Sequence, residues 1–163
     1  MSRFRSEFLQ ALEDRGFVHQ ITDPEGLDRL AAAGPITGYI GFDCTADSLH
    51  IGNLVSIMLL RHLQEAGHRP IALVGGGTTR VGDPSGRDEA RRLLDDAAID
   101  SNKAGIRRSL GAFLDVASGR TLMVDNADWL DQLGYVPFLR DIGRHFTINR
   151  MLTFDSVKLR LER

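Results

Sequence analysis

His50 and Asn53 stand three residues apart in Leu49-His50-Ile51-Gly52-Asn53-Leu54, and on a helix that spacing puts both on one face. A neutral imidazole N–H and an amide N–H can each donate to phosphate oxygens whose charge changes during a reaction. A helix start adds unpaired backbone N–H groups and partial positive charge, which suit an anion. Gly52 leaves that first turn bare, so a flat base or a phosphate can approach closely. Spacing alone favours a plainer reading, in which His50 caps or packs and Asn53 is solvated. Just upstream, Thr45, Asp47 and Ser48 are residue types whose side-chain oxygens cap helices.

A second group lies in Gly75-Gly76-Gly77-Thr78-Thr79-Arg80-Val81-Gly82-Asp83-Pro84-Ser85-Gly86-Arg87, where six of 13 residues are Gly or Pro. Asp83 sits in a turn signature, and a carboxylate among glycines can also accept a ligand's ammonium group. Arg87 and Arg91 follow; they read as a solvated helix face or as groups that reach a polyphosphate. The Gly-Lys-Ser/Thr ending of a P-loop is absent. Tyr39 reads as a core tyrosine with its hydroxyl at the rim, or as a hydrogen-bond partner for a polar ligand group. Cys44 has no evident base and reads as a small loop residue. Trp129 reads as a packing anchor, and no His, Cys or Asp cluster has metal-ligand spacing.

Alternating strand and helix patterns must position these groups. Residues 37–42 form an apolar strand, and 49–66 a helix with Leu54, Ile57, Leu60 and Leu63 on its apolar side. Residues 70–75 are a continuous apolar run of the kind a parallel sheet buries. Strand, helix and strand within about 40 residues make a right-handed βαβ unit. The glycine-rich stretch then falls at a strand's C-terminal end, where open α/β sheets bind ligands. Helices follow at 88–94 and 99–117, a third strand at 121–125, and short helices at 126–130, 136–145, 148–152 and from Asp155 onward. Ahead of the sheet, 2–15 and 23–33 are helical, with Asp23 as N-cap and Pro24 in the first turn. The fold class is α/β, a Rossmann-like parallel sheet with helices on both faces. The expected division is 1–36 as a helical lead and 37–163 as a partial catalytic domain, whose first strand is an edge that wants a neighbour.

Composition limits the function classes. A net charge of −2 gives no bulk case for binding nucleic acid or membrane. Basic residues are 18 Arg and 2 Lys, spread along the chain. One cysteine excludes an internal disulfide and fits a reducing compartment. No apolar run approaches the roughly 18 residues of a membrane span, and the N-terminus lacks a signal core, so a cytoplasmic location is expected.

Taken together, the blocks resemble one family. The segment 39–54 is similar to the "HIGH" region of class I aminoacyl-tRNA synthetases, in the bacterial tyrosyl form. Val81–Gly86 resembles that family's second glycine-rich segment, and 126–129, 138–152 and 155–162 resemble its later blocks. The resemblance implies ATP-dependent activation of tyrosine to tyrosyl-adenylate and transfer to tRNA(Tyr), with Mg2+ accompanying ATP and a homodimeric assembly near 136–163. It implies that Tyr39, Thr78, Asp83 and Asn126 hold tyrosine, and that Gly41, Asp43, Thr45, His50, Gly52 and Asn53 line the ATP site. Thr45, His50, Asn53, Arg87 and Arg91 would act on the phosphates. Asn53 replaces the signature's final His and keeps a hydrogen-bond donor. The family's second half-sheet, its lysine-bearing loop and its anticodon-binding region have no counterpart up to Arg163. The chain therefore reads as an N-terminal part, inactive alone. Two rival readings stay open: another nucleotidyltransferase with a helix-start His-x-Gly signature, and a non-catalytic binding module derived from a synthetase.

Overall fold

The computed structural model describes residues 2–81, 94–154, 157, 158 and 161. The expected helix at 88–94 and the helix start at Asp155 lie wholly or largely outside them. Three strands, β1 (Thr37–Asp43), β2 (Arg69–Gly75) and β3 (Leu122–Asp125), form a parallel sheet in the order β1-β2-β3. Asp43 lies beside Gly75, and Val74 beside Asp125, so the three C-terminal ends form one edge. Among the described strands β1 is an edge, as expected.

Helix α3 (Ile51–Glu65) crosses from β1 to β2, and α5 (Asp96–Gly111) precedes β3. Alternation along the strands sends Phe42, Ala72 and Val74 to one face, where they meet Ile57 and Leu60 of α3 and Ile99, Ile106 and Leu110 of α5 in a continuous apolar core. Each fully buried Leu or Ile there contributes on the order of 1.5–3 kcal/mol. The other face carries Tyr39, Gly41, Ile71, Leu73, Leu122 and Val124, and it is open: Tyr39 is 70% and Leu122 55% exposed. Tyr39 is therefore not a core residue in this chain.

The lead packs on the sheet's crossover helix. In α1 (Glu7–Asp14) the N-cap Ser6 accepts the Leu9 N–H at 3.3 Å, and α2 (Pro24–Ala33) starts with Asp23 accepting the Gly26 N–H at 2.9 Å. Phe4, Phe8, Leu9 and Leu12 share a second core with Leu63 of α3. His68 accepts the Ile36 N–H at 3.3 Å, and its burial pushes the imidazole pKa down.

Two elements differ from expectation. Helix α5 begins at Asp96 instead of 99, because Asp95 caps it by accepting the Ala98 N–H at 2.8 Å. It ends at Gly111, since Asp115 donates its backbone N–H to buried Gln64 of α3 at 2.8 Å and turns the chain toward β3. The glycine-rich start of the second group is itself helical, as α4 (Gly76–Val81). Beyond β3 come α6 (Ala127–Leu130), α7 (Tyr135–Asp141), a 3-10 turn at Gly143–His145 and α8 (Ile148–Met151) with Thr147 as its cap. None of these buries a side chain, and Trp129 is exposed instead of anchoring a core. Among the described residues no helix is long and apolar enough to cross a membrane.

Candidate functional site

Two of the helix starts at the C-terminal edge of the sheet, those of α3 and α4, carry the candidate residues. The first is that of α3. Its N-cap is His50, not Thr45, Asp47 or Ser48; Ser48 instead donates to Asp47 at 3.3 Å. The His50 Nδ1 accepts the Gly52 N–H at 3.0 Å, and the Asn53 Oδ1 accepts the His50 N–H at 3.2 Å. Cap and donor are thus not rivals. With Nδ1 occupied as an acceptor, a neutral imidazole carries its proton on Nε2, and among the described residues neither amide N–H of Asn53 is taken up. Gly52 has a second reason to be glycine. A Cβ there would stand 2.9 Å from His50 Cε1 and 3.0 Å from Nδ1, forcing the ring out of its place.

The second helix start is that of α4, and its caps come from the last residue of β3 and the residue after it. The Asp125 Oδ1 accepts the Gly76 N–H at 3.1 Å and the Ala127 N–H at 3.0 Å. The Asn126 Oδ1 accepts the Gly77 N–H at 2.7 Å and the Thr78 N–H at 3.4 Å, while its amide donates to the Thr78 Oγ1 at 3.0 Å. The Thr78 hydroxyl in turn donates to the Gly75 carbonyl at 3.3 Å. Asn126 is buried, and among the described residues only one of its two N–H donors meets a partner. Burial pushes the Asp125 carboxyl up, but the Ala127 N–H and the Lys103 ammonium outweigh it and hold it below its ordinary value.

The loop between β1 and α3 is fixed from below. The Thr79 Oγ1 accepts the Cys44 N–H at 3.0 Å, and the Asn102 amide donates to the Cys44 carbonyl at 2.9 Å. The α5 backbone passes so close at Gly105 that any Cβ would overlap the Asp47 carbonyl. Cys44 is fully buried; burial, with Asp125 adding to it, pushes the thiol up to about 11, so it is no nucleophile. Arg80 at the end of α4 pairs with Asp96 at 2.9 Å and with Asp131 after α6.

The sequence candidates therefore fall into three sets. His50, Gly52 and Asn53 meet at the start of α3, and Thr45 lies exposed in the loop leading to them. Thr78 and Asn126 are bonded to each other, with Asp43 at the adjacent strand end. Tyr39 and Gly41 lie on the open face, Tyr39 four residues and about 13 Å before the end of β1 at ~3.3 Å per residue. Asp83, Arg87 and Arg91 lie outside the described residues. Missed from sequence were Asp125, Thr79, Asn102, Lys103 and Gly105. A polar Asp125-Asn126 pair directly after an apolar strand was the available signal for the first; the others act across the fold. Among the described residues no group of three or more His, Cys, Asp or Glu side chains is placed to hold a metal.

The profile of the family "tRNA synthetases class I (W and Y)" matches residues 31–163. The chain is 64% identical over 165 residues to a tyrosine–tRNA ligase of Rhodospirillum rubrum, covering all of this chain and 40% of that protein. It is 62% identical to one of a Caulobacter species, covering 98% of this chain and 39% of the relative. Its fold matches a C-terminally truncated mitochondrial tyrosyl-tRNA synthetase of Aspergillus nidulans with a TM-score of 0.85 at 32% identity, over 98% of this chain and 48% of that one. The chain spans about 40% of the length of the curated relatives it matches. Helix starts capped at the C-terminal edge of a parallel sheet, the profile and the relatives agree, and the chain belongs to the class I tRNA synthetases of the tryptophan and tyrosine group.

Proposed function

We propose that this chain contributes one wall of a tyrosyl-adenylate site, in a tyrosine–tRNA ligase that joins tyrosine to the AMP part of ATP, releasing pyrophosphate, and then passes the tyrosyl group to tRNA(Tyr), releasing AMP. In this reading 1–36 is the lead and 37–163 the first part of the catalytic domain. The observation that carries it is the α3 cap: accepting through Nδ1 turns the His50 Nε2–H outward, beside the spare donors of Asn53 and at the positive end of a helix. Those donors would meet the phosphates of ATP, with Thr45 beside them and Mg2+ arriving on the nucleotide as part of the substrate. Arg87 and Arg91 would neutralise the leaving pyrophosphate. Gly41, Gly52 and Asp43 would flank the nucleotide.

Tyrosine would lie along the open face. Its ammonium group would sit at Thr78 and Asp83, its ring over Gly41 and its hydroxyl toward Tyr39. Apolar Leu73 and Ile71, next to Gly41 and Tyr39 in the sheet, suit an aromatic ring. Asn126 would hold the Thr78 hydroxyl in place and keep one N–H for the ligand. No covalent bond to the protein is needed: donors fixed in advance act on charge that develops in the transition state. We also propose that a second copy covers the exposed Tyr135, Val136, Phe146 and Ile148 of the 135–154 segment, and that the protein works in the cytoplasm.

The test is amino-acid-dependent exchange of labelled pyrophosphate into ATP by the protein at its full natural length. Tyrosine alone among the amino acids should support exchange. His50→Ala should lower kcat by about 100-fold or more, as loss of one fixed transition-state donor does. Exchange with another acid, or none, overturns the reading. Sedimentation with Phe146→Glu tests the pairing.

A further inference from the structure

Lys103 is one of two lysines among 20 basic residues, and it stands on α5 where neither helix start reaches it directly. Its ammonium lies 2.8 Å from Asp100 and 3.1 Å from the Asp125 Oδ2. Asp100 is exposed, but the Asp125 side chain is 7% and that of Lys103 18% exposed, so the second contact is the shielded one. The other oxygen of the same carboxylate holds the first N–H groups of both α4 and α6. Asp125 is thus a junction with a cation behind it and two helix starts in front.

A buried carboxylate without its cation is strongly disfavoured, and it answers by taking a proton or turning toward water. Either change weakens its hold on the Gly76 N–H. Helix α4 begins with two glycines, residues with poor intrinsic helix propensity, so its first turn depends on the caps it receives. Thr78 lies in that turn and its hydroxyl bonds are set by it.

We propose that Lys103 is a positioning residue for the amino-acid side of the site, acting through Asp125 on the first turn of α4 and so on Thr78. This rests on the reading above that Thr78 faces the tyrosine ammonium group. Lys103 reaches neither substrate. Its effect is on where Thr78 stands, and the ATP donors at His50 and Asn53 belong to the other helix start.

The experiment compares Lys103→Met, Lys103→Arg, Asp125→Asn and Lys103→Met/Asp125→Asn in the full-length protein. Pyrophosphate exchange gives KM for each substrate, and amide hydrogen exchange gives the protection of Gly76, Gly77 and Thr78. Lys103→Met should raise KM for tyrosine by about tenfold, within what a displacement of a binding group costs, and leave KM for ATP within about twofold. Lys103→Arg should restore most of the loss. The double variant should recover relative to Lys103→Met, because an uncharged amide still accepts the Gly76 N–H and needs no cation. Protection of the three α4 amides should fall in Lys103→Met while that of β1 and α3 holds. A tyrosine KM that does not move, a parallel rise for both substrates, or no recovery in the double variant overturns the proposal. If the wild type lacks tyrosine-dependent exchange, the functional reading fails instead, and unchanged α4 protection then overturns the positioning role by itself.

Discussion

The two helix starts at the sheet's edge solve the same problem with different means. Both must satisfy backbone N–H groups that have no partner within the helix. At α3 the caps are His50 and Asn53, neighbours in the chain, exposed or half-buried. At α4 they are Asp125 and Asn126, 49 residues away and buried. The local cap leaves donors spare on an accessible rim, while the remote one spends most of its bonding capacity holding a weak helix together. Chemistry is freest where the cap is cheapest to form, and geometry is most defined where the cap is imported.

That contrast can be broken by experiment. Asp125→Ala should cost the most, about 2–5 kcal/mol of unfolding free energy, because it leaves two helix-start N–H groups unpaired and Lys103 with only its exposed partner Asp100. Denaturant titration measures it; a loss under 1 kcal/mol would put the remote cap on a par with a surface contact. Asn126→Ala should cost about 1–3 kcal/mol, the range for leaving buried polar groups unpaired. His50→Ala should cost only about 1 kcal/mol as an exposed cap, so that the loss of exchange activity proposed for it would not be a loss of fold. Equal stability losses at His50 and Asp125 would erase the distinction.

Acid sharpens it further. The Asp125 carboxyl is held below its ordinary value in the folded chain, so its contribution is present above the unfolded value near 3.9 and lost as pH falls through the lower folded one. Protection of the Gly76 amide against hydrogen exchange should stay level from pH 7 to about 4.5 and fall only below about 4. His68 makes the smallest and earliest contribution. Its folded value is depressed, so stability falls as pH drops below the ordinary histidine value near 6.5, and His68→Gln should flatten that slope.

The same division explains what could be read in advance. Strands β1 and β2 and helices α2 and α3 announce themselves, because periodicity, Asp23-Pro24 and Gly67 are local signals. The His50–Asn53 pair is visible for the same reason, and its plainer reading, His50 as a cap, holds together with the donor role, while Thr45, Asp47 and Ser48 have capping side chains that α3 does not use. Helix α4 was hidden, since three consecutive glycines oppose a helix and the opposing side chains arrive from β3. The α5 start lies three residues ahead of its apolar pattern, because Asp95, a common residue on a polar stretch, supplies the cap. The open sheet face could not be read either, because a strand pattern reports apolar character and not whether a helix comes to cover it.

Gly105 carries a last consequence. It has no functional group and lies on a helix that holds no candidate ligand-binding residue, yet no side chain fits between it and the Asp47 carbonyl. A full substitution scan should therefore score position 105 as intolerant as His50, with alanine already damaging. Maps of mutational tolerance would mark it as part of the site, and the mark would record a backbone that must come close and not a residue that reacts.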